Sequence, residues 1–335
     1  MHDLESCPAI TCPITYNWHG NQELADTASI NIRIWAQLMK QQWPEMSFTA
    51  LQAITFHHDY ELAIAEAAGP DRNAPVPSKE AGGLSVGMMV RNGDGVHLVM
   101  HESVALALAQ DNEEQSDWAQ HIVRHELCHV SDFGFKRALI QAHPDKAAFK
   151  GFDVHVAPLA ESLWDEYYAN KYSSGGWSDP RMFLDVLRDT VPPIRVDVTQ
   201  AILRYRTEAD LDALLALAKA KIRFVAQVFG YAAGSIAAGQ TTLLDGAPEE
   251  HAMLQRYGLV DAWEQAFAAL QALDAARPNW ESALAIKALF PACVALLAGF
   301  GLHYEPSGEG AYVDIPMTDE TNPLLHGWRA GTGRP

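Results

Sequence analysis

The stretch Asp117 to Asp132, DWAQHIVRHELCHVSD, constrains this chain more than any other. Its apolar residues Trp118, Ile122, Val123, Leu127 and Val130 recur at helical spacing, and no proline or glycine interrupts them before Gly134. Asp117, with Gln120 three residues on, resembles a capping box, so the pattern predicts a helix beginning at Asp117. On that helix His125 and His129 stand one turn apart and project from one face, while Glu126 lies about 100° round the axis from His125. The arrangement is H-E-x-x-H.

Residue chemistry gives that spacing a meaning. Two imidazoles a turn apart form a rigid half-site for a divalent metal, and zinc takes nitrogen, sulfur or oxygen donors, leaving one position to water in catalytic sites. A carboxylate beside such a site, here Glu126, can take a proton from the water and later pass it to a leaving amine. The plain alternative is a core helix that happens to carry two histidines.

The rest of the chain restricts the partners. With 335 residues and 48% hydrophobic content it is long enough for one large domain or two ordinary ones. Forty-two acidic residues against 24 basic ones give a net charge of -18, which opposes binding to nucleic acid or to anionic membranes. Cys7, Cys12, Cys128 and Cys293 are too few and too scattered for a disulfide framework. The start, MHDLESCPAI, lacks the basic and apolar regions of an export signal, so a cytoplasmic location is expected. The apolar runs Ala283 to Leu302 and Ile222 to Ala238 are interrupted, by Lys287, Pro291 and glycines in the first and by Gln227 in the second, as in buried rather than membrane-spanning helices.

Taken in order, residues 1–20 form an extension without clear period. Leu24, Ala28, Ile32, Trp35, Leu38 and Met39 mark a helix from Asn21 to Trp43, ended by Pro44. Phe48 to Phe56 reads as a strand and Asp59 to Ala68 as a helix, with Gly69 to Gly83 a loop. Leu84 to Arg91 and Val96 to His101 flank Asn92-Gly93-Asp94-Gly95 as a hairpin. An exposed strand edge there can pair with an extended peptide. After the histidine helix come a further helix, Lys136 to Phe149, a loose stretch from Gly151 to Pro158, and a helix from Leu159 to Ser174.

That last helix holds the candidates for a third ligand. A metzincin-type continuation fails, because the positions three and six after His129 hold Asp132 and Phe135. Glu161 and Asp165 form a thermolysin-like E-x-x-x-D, and Glu166 begins an E-x-x-A-N. At 100° per residue Leu159, Leu163 and Tyr167 define the apolar stripe, with Glu166 and Asn170 at its edge and Glu161 and Asp165 opposite. This geometry favours Glu166 and leaves Glu161 as the alternative. Asn170 would then support a metal-binding imidazole by a hydrogen bond.

His125 to His129 with a later glutamate helix resembles the gluzincin branch of the zincin-like metallopeptidases, and Glu166 to Ser173, EYYANKYS, is similar to the E-x-x-A-N-x-F-A of the ImmA/IrrE family of bacterial peptidases. The resemblance spans about half the chain. It implies His125, His129 and Glu166 as zinc ligands, Glu126 as general base, and a peptide or protein substrate. The fold it implies is α+β: a small sheet with an edge strand, an active-site helix and a glutamate helix.

Expected domains are therefore an N-terminal extension (1–20), a zincin-like domain (21–178), a helical region (179–303) broken at Pro192-Pro193, Gly246-Ala247-Pro248 and Pro278, and an irregular tail (304–335) with a short strand at Tyr312 to Ile315. Tyr167, Tyr168, His121 and His155 are the candidates for steadying the oxyanion. Two other functions fit the same residues: hydrolysis of a non-peptide amide, and a toxin or regulatory module whose metal only holds the fold.

Overall fold

A computed structural model describes residues 8–69, 86–110, 113–146, 148–174, 181–308 and 310–316. The fold is α+β and mainly helical, with a small mixed sheet. The described residues fall into two compact units, Met1–Ala138 with Tyr168–Asp179 and Leu139–Tyr167 with Pro180–Pro335. This division interleaves in sequence, whereas the change in composition suggests a single boundary after residue 178.

The first unit is built on β1 (Ile14–Asn17), β2 (Leu51–His57), β3 (Gly87–Asn92) and β4 (Gly95–His101), ordered β1-β2-β4-β3. β1, β2 and β4 are parallel and β3 runs antiparallel to β4. Leu98, Val99 and Met100 are buried in succession, as expected of a strand covered on both faces. The hairpin closes where Asn92 pairs with Gly95, and Gly93 takes a φ of 55°, a left-handed conformation that costs glycine nothing. The extension is thus not separate, since β1 lies within it and pairs with β2.

Helix α1 (Gln22–Gln42) starts at Asn21, whose side chain accepts from the Leu24 N–H at 2.9 Å. Its buried face is Ala25, Ala28, Ile32, Ala36 and Met39, rotated from the expected stripe so that Leu38 is exposed. The small residues let α1 lie close, and the bulky Trp35 instead stacks on the Arg124 guanidinium, 4.5 Å from its ring centroid. Helix α2 (Tyr60–Ala68) is capped by Asp59, which accepts from Leu62 N–H at 3.0 Å. The expected loop after Gly69 lies almost wholly outside the described residues.

After α3 (Glu102–Ala109) the chain forms one long helix, α4 (Glu113–Ala142). Asp117 is inside it rather than at its start, and Gln120 Nε2 donates to Ser116 Oγ at 2.7 Å. Gly134 does not end it, and no separate helix begins at Lys136. A glycine inside a helix costs about 1 kcal/mol, less than the burial of Val123, Leu127 and Val130 supplies at about 1.5–3 kcal/mol per large side chain. Helix α5 (Asp153–Ser174) likewise begins before Pro158, which lies inside it. The carbonyl that Pro158 leaves without its N–H belongs to Val154, a residue 52% exposed to water.

The second unit contains the earlier part of α5 and α6 (Arg181–Glu208), α7 (Leu211–Ala238), α8 (Leu243–Gly246), α9 (Pro248–Arg256), α10 (Val260–Ala276) and α11 (Phe290–Gly299). Helix α6 continues through Pro192-Pro193, contrary to the break expected there, because Val191, Ile194 and Val198 beside them are buried. Arg195 on α6 is also buried; it donates to the carbonyls of Gly299 and Tyr257 and lies over the Phe300 ring. Burial lowers its pKa to about 10, so it remains charged at neutral pH. The tail forms a hairpin, β5 (His303–Ser307) with β6 (Gly310–Asp314), rather than one short strand.

Among the described residues Cys12, Cys128 and Cys293 are buried and form no disulfide, and no helix is long and apolar enough to cross a membrane.

Candidate metal centre

The pitch of α4 brings His125 and His129 together: their Nε2 atoms are 3.0 Å apart and their rings meet edge to face, with centroids 4.6 Å apart. Two nitrogens bound to one tetrahedral zinc at about 2.0–2.1 Å would be about 3.3 Å from each other, so small ring rotations separate this arrangement from a coordinating one. Glu166 on α5 completes the group. The ligand atoms of His125, His129 and Glu166 all lie within 4.8 Å of one another, and these residues can hold a metal ion. The donor set, two imidazoles and a carboxylate, is one that divalent transition metals take.

The Glu166 side follows from the apolar stripe of α5. Leu159, Leu163 and Tyr167 are buried with Glu166 and Asn170, whereas Glu161 is exposed and Asp165 half-exposed on the other side. A buried carboxylate is costly without compensation. Part of it comes from α7: Gln227 Nε2 donates to Glu166 Oε1 at 2.8 Å and to the Tyr231 hydroxyl at 2.9 Å. The helices come close there because residue 230 is glycine. A Cβ at Gly230 would lie 2.5 Å from the Leu163 carbonyl oxygen and 2.9 Å from Glu166 Cβ.

Glu126, adjacent to His125, is buried, with its carboxylate under the first residue of β3. A Cβ on Gly87 would sit 3.0 Å from Glu126 Oε1. β3 is an edge of the sheet, so a strand end and a carboxylate meet beside the histidine pair.

Other residues brace α4 and the end of α5. Arg124 Nε donates to the Ser173 carbonyl at 3.0 Å, tying α4 to the last turn of α5, and burial lowers its pKa to about 10. His121, one turn before His125, is buried with its ring 6.1 Å from that of His125. Burial holds its pKa well below the usual histidine value, His125 and Arg124 push the same way, and a hydrogen bond with Asn170 opposes them. Asn170 thus meets the imidazole of His121.

The oxyanion candidates separate. Tyr167 and Tyr168 are buried and pack on Trp164 and Tyr172 respectively. His155 approaches Lys219 at 3.5 Å near the start of α5, about 16 Å along the helix from Glu166. Gln227 and Tyr231 are the site residues that motif reading does not reach. The available signal was Gln227 itself, an amide in a mainly apolar helical run.

His57 and His58 serve the strand ends. His57 accepts from the Asp59 N–H at 2.8 Å and meets Asn17 at 2.6 Å, and the His58 ring N–H donates to the Asn17 carbonyl at 3.0 Å.

Set against known protein families, curated proteins and solved structures, the chain matches none of them.

Proposed function

We propose that this chain is a zinc-dependent peptidase of the gluzincin type, with a zincin-like first unit. The observation that carries the reading is the grouping of His125, His129 and Glu166 with the carboxylate of Glu126 beside an edge strand. His125, His129 and Glu166 hold the metal, a donor set with one negative charge that leaves a zinc site net positive. When bound, zinc supplies Lewis acidity, which acidifies water and polarises a carbonyl.

Glu126 is the general base. It takes the proton of the attacking water on its carboxylate, then returns it to the amine that leaves when the peptide bond breaks. Its burial shields it from bulk water. β3 binds the substrate: its edge away from β4 offers backbone donors and acceptors to an extended peptide. Gly87 lets that peptide pass close to Glu126, since any larger side chain would press on the carboxylate.

The test is Glu126→Gln, which preserves shape and removes the base. Metal content should remain that of the parent while peptide cleavage falls by about 10²–10⁴-fold. Unchanged cleavage would remove Glu126 from the mechanism, and turnover of small non-peptide amides alone would remove the peptide substrate.

A further inference from the structure

The metal group described above draws on α4 and α5, yet the hydrogen bond that fixes its carboxylate comes from α7. We propose that Gln227 is a positioning residue for the metal ligand Glu166, so that metal affinity is set partly from the helical second half of the chain. The inference rests on the reading of Glu166 as a ligand.

A carboxylate only accepts, so the amide atom facing Glu166 Oε1 at 2.8 Å has to be the nitrogen. The second N–H of that amide goes to the Tyr231 hydroxyl at 2.9 Å, one turn along the same helix. Gln227 is therefore held at both donors and cannot turn its carbonyl toward Glu166 without breaking both bonds. With Oε1 engaged by Gln227, Oε2 is the oxygen left for a metal. The carboxylate then binds through one oxygen, which keeps a coordination position open for water, as a catalytic site needs.

The backbone supports this arrangement. Gly230 stands three residues after Gln227, on the same face of α7, and its lack of a side chain allows the contact with Leu163 and Glu166. Arg223, one turn before Gln227, makes a second contact between the same helices: its Nε donates to Ser162 Oγ at 2.9 Å. That bond lies on the exposed side of α5 and touches no ligand, so it serves as an internal control.

Zinc affinity of the full chain, measured by competition with a chromophoric chelator, tests the proposal. Gln227→Met keeps length and bulk but removes both donors, and Gln227→Asn keeps the amide but is one methylene too short to reach. Each should weaken zinc binding at least 10-fold. Arg223→Met should leave the affinity unchanged.

Loss of affinity in Glu166→Ala but in neither Gln227 variant would overturn the positioning role alone. An equal fall in Arg223→Met would also overturn it, because general loosening of α7 on α5 would then be the cause. If Glu166→Ala itself keeps full affinity, the ligand set is wrong and this inference falls with it.

Discussion

His125 and His129 are brought together by one helix, whereas Glu166 is brought to its place by several. The separation of the imidazoles follows from the pitch of α4 and would survive considerable change elsewhere. The position of Glu166 depends on the stripe that turns α5, on Gly230, which lets α7 approach, and on Gln227, which holds one carboxylate oxygen. Local geometry gives a rigid half-site at little cost in chain entropy. Tertiary geometry adds the third donor at a place that the remaining helices can adjust.

Substitutions should separate these two kinds of construction. The largest effect is expected from His125→Ala or His129→Ala, since no neighbouring element can replace an imidazole lost from the α4 pair. Purified parent protein should carry about one zinc per chain and either variant none. Retention of stoichiometric zinc in both would show that α4 is not the metal helix.

Glu166→Ala should weaken zinc binding by at least 10-fold to 100-fold while leaving the histidine pair in place. Its counterpart on the exposed side, Glu161→Ala, should change stability by no more than about 0.5 kcal/mol and keep its metal. A reversed order would mean that α5 turns its other face to the histidines.

A smaller effect than the loss of a ligand should come from Gly230→Ala. Crowding against the Leu163 carbonyl costs about 1–3 kcal/mol, offset by about 1 kcal/mol from better helix propensity. Denaturant unfolding of metal-free protein should show the difference, and zinc affinity should fall as α7 is pushed from α5. A stabilised variant with full affinity would make the close approach at Gly230 incidental.

The same distinction between local and tertiary causes explains what the sequence revealed. The helix starts at Asn21 and Asp59, the hairpin at Asn92 to Gly95, the histidine pair and the inward stripe of α5 were all legible, because each is a short-range pattern. The errors share a cause as well. Gly134, Pro158 and Pro192-Pro193 read as helix ends from local propensity, yet α4, α5 and α6 run through them. Burial of distant neighbours outweighed penalties of about 1 kcal/mol for glycine and about 3 for proline. β1 was missed because Ile14–Asn17 is too short for a period to show, and it is recognisable only beside β2. Gln227 was visible as an oddity in an apolar run, but nothing along the chain says that it faces Glu166.

The interleaving of the two units has a consequence for how the molecule melts. The chain passes from one to the other after Ala138, inside α4, and again after Tyr167, inside α5. If the second unit lost its structure first, the first would keep only Tyr168–Ser174 of α5. Helices below about 12–15 residues are marginal in water, so this remnant, with the Ser173 carbonyl that anchors Arg124, would unravel too. Heating the whole chain should therefore give a single calorimetric transition. A fragment cut after Ser174 should not hold zinc as the intact protein does, even though it contains every proposed ligand.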